Sequence, residues 1–168
     1  MIRENTDSLS GLPPGFFLKS FMIIAGAYIA NAMLLVIGLV VIAKLFFPES
    51  FELLQLEQEA FKQVVTSDPQ KVFPPEFLWS LLCFACGVSF LLGFIVSKVA
   101  PIGKFTHAIF FAAILFAQYL QMAIGASESI QTMLILFMGL TPIAALLGAS
   151  QAVGSGNKAV NLSADDPI

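Results

Sequence analysis

The chain has 168 residues, 58% of them hydrophobic and 11% charged, with a net charge of −3 and a mean hydropathy of +0.89. That charge content is too low to coat a water-soluble globule of this length. The acidic balance and the lack of any Lys/Arg run argue against nucleic acid as a partner, since such binding needs a basic surface to displace phosphate counterions; the partner that composition demands is the lipid bilayer.

Residues 1–19 read as a flexible cytoplasmic tail, because Gly11, Pro13, Pro14 and Gly15 interrupt regular structure just before Phe16 and Phe17 reach the membrane interface. The first span is expected over 20–43. Ala30, Asn31 and Ala32 mimic a signal-peptide cleavage site, but the apolar run is far longer than the about 7 to 15 residues of a signal's apolar region, so this helix is retained. Further spans are expected over 77–97, 105–124 and 130–149. None contains an Asp, Glu, Lys or Arg, and each is close to the about 20 apolar residues that cross a bilayer. Helices apolar nearly all the way round belong in lipid. The fold class is all-α: a polytopic membrane protein with a four-transmembrane-helix bundle.

The outer loop 48–75, between the first two spans, carries its own helix signal over 51–66. Ser50 is placed to cap it. Leu53, Leu54, Leu56, Ala60, Phe61, Val64 and Val65 share one broad side, with Glu52, Gln55, Glu59, Lys62 and Gln63 opposite. Glu57 falls within the apolar sector and is expected to reach its edge or pair with a base. Asp68 and Pro69 stop the helix. One reading lays this amphipathic helix across the outer end of its own bundle, its polar face lacking the Lys/Arg that draw helices to anionic lipid. The other makes it a docking helix for a partner.

After the fourth span, 150–168 reads as a second flexible cytoplasmic tail, with Gly154-Ser155-Gly156 followed by polar and acidic residues that cannot build a core. Asn161-Leu162-Ser163 matches a glycosylation acceptor by chance on that face. Orientation follows from the flanking bases. Arg3, Lys19, Lys98, Lys104 and Lys158 fall on one side, which is therefore cytoplasmic with both termini, in a plasma or bacterial inner membrane. The other side has Lys44, Lys62 and Lys71 among seven acidic residues.

Within the spans, small residues recur. Ala85, Ser89, Gly93 and Ser97 stand at four-residue spacing and form a packing face, because small side chains let backbones approach closely in lipid. Gly26 with Ala30, Ala108 with Ala112, and Ala144 with Gly148 offer matching surfaces. Placed by depth, Asn31, Ser89, Thr141 and Pro142 fall near the midplane with Gln118 about one turn outward. Pro142 has no N–H, so the Met138 carbonyl loses its helical donor, which Asn31 or Gln118 can replace. This polar cluster is either hydrogen-bonding glue or a site for a small polar solute.

Cys83-Phe84-Ala85-Cys86 puts two thiols one helical turn apart. Together with the count of four helices, this pair resembles the DsbB and vitamin K epoxide reductase families, whose membership implies passage of electrons from thiols to a quinone; the additional loop cysteines of those enzymes are absent here. Packing is the competing role, since a free Cys behaves as a small apolar residue. His107, Trp79 and Tyr119 suit membrane interfaces. No metal-ligand cluster, nucleophile with a base, cofactor-binding glycine loop or intramembrane carboxylate occurs in the spans, so no catalytic, cofactor or metal residue is assigned. The leading function is a non-catalytic accessory, scaffold or assembly protein that holds other membrane subunits or copies of itself. A small-solute transporter or channel is the alternative, and a thiol/quinone oxidoreductase using Cys83 and Cys86 the third.

Overall fold

Long apolar runs leave the backbone one way to satisfy its polar groups in lipid, which is to form helices. The computed structural model describes residues 15–100, 103–124, 126 and 128–164, with the side chains of 129 and 155–164 outside that description. Of the N-terminal tail expected over 1–19, residues 1–14 lie outside the described residues, and Phe16 to Lys19 belong to the first helix instead. The chain forms α1 (Phe16–Phe46), α2 (Pro48–Leu54), α3 (Gln58–Ser67), α4 (Pro69–Val72), α5 (Pro75–Val99), α6 (Lys104–Ile124) and α7 (Glu128–Ala164), with no strand among the described residues. Four of these, α1, α5, α6 and α7, are long and apolar enough to span a membrane, which fits a multi-pass membrane protein.

The helices overrun the expected spans. α1 has 31 residues and takes in Lys19 and Lys44 at its ends. At about 1.5 Å per residue it is longer than a bilayer's hydrocarbon is thick. α7 continues to Ala164, past Gly154-Ser155-Gly156 where composition predicts irregular chain. Extending an existing helix avoids the cost of nucleation, so a few weak helix formers do not stop it. Pro142 lies inside α7 without ending it.

α7 packs along α5 and α6, while α1 packs on α5 and α6 and has no substantial contact with α7. The α5–α7 contact is the closest. A Cβ on Gly93 would collide with the Ala145 carbonyl, and one on Gly148 with the Phe90 carbonyl, so these two glycines are required by backbone approach. Ala85, Ser89, Gly93 and Ser97 are all buried, and the Ser97 hydroxyl donates to the Lys104 carbonyl at 3.1 Å, tying the end of α5 to the start of α6. On α1 the inward residues are Ala27, Asn31, Gly38 and Ala43. Gly26 instead faces open space. Gly38 receives the Phe84 ring.

The single outer helix expected over 51–66 is a broken one. Pro48 starts α2 at its first turn, so Ser50 lies inside that helix and is buried rather than capping it. Glu57 takes an extended backbone conformation and precedes α3, which begins at Gln58. No Gly or Pro marks this break; it separates α2, which packs on α1 and α4, from α3, whose substantial neighbour is α4 alone. α3 buries no residue. The covering role expected of one helix belongs to α2, α4 and the rings that follow. Phe47 meets Phe77 edge-on at 5.3 Å and Phe73 stacks on it at 6.2 Å, with Phe77 fully buried. These contacts hold the loop to the start of α5.

Candidate functional site

Three of the five residues placed by depth form one buried layer. Asn31 and Thr141 are fully buried and Ser89 is 1% exposed. Ser89 and Thr141 each precede a partner in the Gly93–Ala145 contact by one turn, so they share a level on neighbouring helices. Asn31 lies two turns before Gly38, and α1 is antiparallel to α5, which puts it level with the turn from Val88 to Leu92.

Their hydrogen bonding differs from the expectation. Thr141 donates to the Phe137 carbonyl of its own helix at 2.7 Å. Both amide atoms of Asn31 and the Ser89 hydroxyl are buried without a partner, so Asn31 does not supply the donor that Pro142 removes from the Met138 carbonyl. A polar group in that state costs roughly 1 to 3 kcal/mol relative to one that is paired. Gln118 leaves the layer. It is half-buried, its Oε1 has no partner, and it lines a separate cavity.

That cavity has a volume of about 440 Å³, within the range of small-molecule sites. It sits in the half of the bundle nearer α2–α4, where α1 and α7 both supply wall without packing substantially on each other. Leu35 and Leu39 of α1, Leu81 of α5, Gln118 and Tyr119 of α6 and Phe137 of α7 define it. Tyr119, assigned to the membrane interface by its residue type, is instead 4% exposed, packed on the Phe137 ring at 5.5 Å. Its hydroxyl lies beside Thr141 and Cys86 but meets no partner within hydrogen-bonding geometry. The sequence signal for this placement was available: Tyr119 stands four residues from Leu115 and Ala123, both buried.

Cys83 and Cys86 are free thiols, Cys83 exposed on the outer surface of the bundle and Cys86 half-buried against the cluster of Leu82, Ala85, Tyr119 and Phe137. Trp79 is 51% exposed, the placement an interfacial ring needs. His107 is buried, with Nδ1 3.1 Å from the Gly103 carbonyl and the Phe16 ring edge-on at 6.3 Å. No group of three or more potential metal ligands occurs among the described residues. Comparison with family models, curated proteins and solved structures gave no match.

Proposed function

We propose that this protein is a non-catalytic accessory or assembly component of a membrane, and that α3 is the element by which it holds a partner subunit. The observation that carries this reading is that α3 fully buries no residue against its own chain although it is two-sided, its apolar side being only half-buried. Phe61, Val64 and Val65 recur at helical spacing on one side, with Glu59, Lys62, Gln63 and Thr66 on the other. Lys62 is already paired with Glu59 at 3.4 Å. The polar face therefore lacks the spare cations that draw a helix to anionic lipid, and a protein surface with basic residues suits it better. In mild detergent, wild-type protein should retain a stoichiometric partner. Val64→Glu should lose it while the thermal unfolding of the bundle stays nearly unchanged, because no α3 residue belongs to the buried clusters of that core. If α3 carrying an environment-sensitive probe at Phe61 reports burial in pure lipid vesicles, the helix is a membrane-surface element and this reading fails.

The same reading places Lys19, Lys98 and Lys104 on the cytoplasmic side and α2–α4 on the outer side. Single cysteines at Ser67 and Ser155, with the native thiols replaced, should respectively take and escape an impermeant label in intact cells. A second reading, passage of a small polar solute, is favoured by the unpartnered Asn31 and Ser89 in one buried layer. Solute flux abolished by Asn31→Leu, with folding intact, would promote it over the first.

A further inference from the structure

We propose that the cavity bordered by the end of α1, α2 and α4 binds the headgroup of a zwitterionic phospholipid, in which a phosphodiester is joined to an ammonium. Depth places this cavity among headgroups. It has a volume of about 490 Å³ and is walled in part by Phe46 and Phe47, which follow directly on the apolar span and Lys44. A second ruler gives the same level. Phe47 meets Phe77 at 5.3 Å, two residues before Trp79 on α5, whose exposed ring suits the membrane interface. Leu45 and Phe46 are 67% and 71% exposed. Apolar side chains so placed at the end of a span lie against lipid, so the cavity is reached from the bilayer.

The charges of the wall match such a headgroup. Glu49 of α2 and Lys71 of α4 both line the cavity, and they are not paired with each other. Glu49 has no ion pair among the described residues. Lys71 is held only by Asp68 at 3.6 Å, with 70% of its side chain exposed. An exposed pair of that length is worth little, so the Lys71 ammonium is free to turn to a phosphate. A headgroup with both signs satisfies Lys71 and Glu49 together, whereas an anionic one leaves Glu49 beside a like charge. Phe46 and Phe47 add ring surface of the kind that attracts an ammonium. Ser50 adds a donor. It is 2% exposed and lies on the wall of this cavity. Its hydroxyl makes no hydrogen bond to the described residues, yet unlike that of Ser89 it is not sealed from its surroundings. A phosphodiester oxygen is the acceptor it lacks.

The test is native mass spectrometry of the full chain in mild detergent, titrated with phosphatidylethanolamine and, as comparator, phosphatidylglycerol with the same acyl chains. Both carry the phosphodiester and only the first carries the ammonium. Wild-type protein should bind phosphatidylethanolamine roughly fivefold more tightly, the upper end of what one exposed charge pair supplies. Glu49→Gln should erase the difference, and Lys71→Gln should weaken the binding of both lipids. Leu53→Trp, which fills the cavity from α2, should abolish the preference. Equal affinity of the wild-type protein for the two lipids overturns the proposal, and that arm depends on no variant. A preference that survives both Glu49→Gln and Leu53→Trp overturns it as well, because the headgroup is then read elsewhere. Glycerophosphoethanolamine, the same headgroup without its chains, should fail to displace the lipid at equal concentration; displacement would make the ligand a soluble phosphodiester and overturn the assignment to a membrane lipid.

Discussion

α7 and α1 both seat on α5 through glycine, and they do so in physically different ways. On the α7 side the close approach is backbone to backbone, with Gly93 under the Ala145 carbonyl and Gly148 under the Phe90 carbonyl. On the α1 side a ring, Phe84, fills the notch at Gly38. The apolar stretch of α5 is 44% buried and that of α1 only 17%. Small residues in a membrane span thus carry two meanings. Where the neighbour is a carbonyl, nothing short of moving a helix makes room; where it is the far end of a side chain, a rotamer can give way.

The largest expected effect tests this contrast directly. Gly93→Ala should cost about 2 to 3 kcal/mol, because the added methyl meets backbone in a packed core, read as a fall in the unfolding temperature in mild detergent. Gly38→Ala should cost about 1 kcal/mol by the same measurement, since the Phe84 ring can rotate. Equal losses at the two positions would remove the distinction between the seats. Asn31→Leu sharpens the comparison from the α1 side. Its buried amide has no partner to lose, so stability should rise or hold, by up to roughly 1 kcal/mol; a fall larger than that would mean the amide is paired in the folded protein.

Smaller effects probe the periphery of the core. Ser97→Ala deletes the bond to the Lys104 carbonyl and should cost about 0.6 kcal/mol, the usual worth of a side-chain hydrogen bond between membrane helices. Gly139→Ala is the opposite control. A Cβ there meets nothing within 4 Å, so the isolated chain should gain about 0.5 kcal/mol from the better helix former. Loss of a co-purifying partner in the same variant would show that the outer surface of α7 is used between chains.

Much of the architecture was legible because lipid leaves few choices. The four spans and the packing face of Ala85, Ser89, Gly93 and Ser97 follow from uncharged length and four-residue spacing. The polar layer was legible only in part. Depth along a helix placed Asn31, Ser89 and Thr141 together, but the side on which Gln118 lies depends on how α6 is rotated against α1 and α7. Tyr119 was misplaced because an aromatic hydroxyl suits an interface in general, while its i, i+4 neighbours Leu115 and Ala123 turn it into the bundle. The break of the outer helix at 55–57 carries no local signal at all.

What the sequence alone determined is the set of elements that must cross lipid and the residues small enough to let them touch, since both depend on local composition and on the cost of an unpaired backbone in hydrocarbon. What only the tertiary structure decided is which helices touch. That α7 seats on α5 and α6 while α1 makes its substantial contacts with α5 and α6 depends on complementary surfaces far apart in the chain. From that choice come the α1/α7 cavity and the orphaned Asn31 amide.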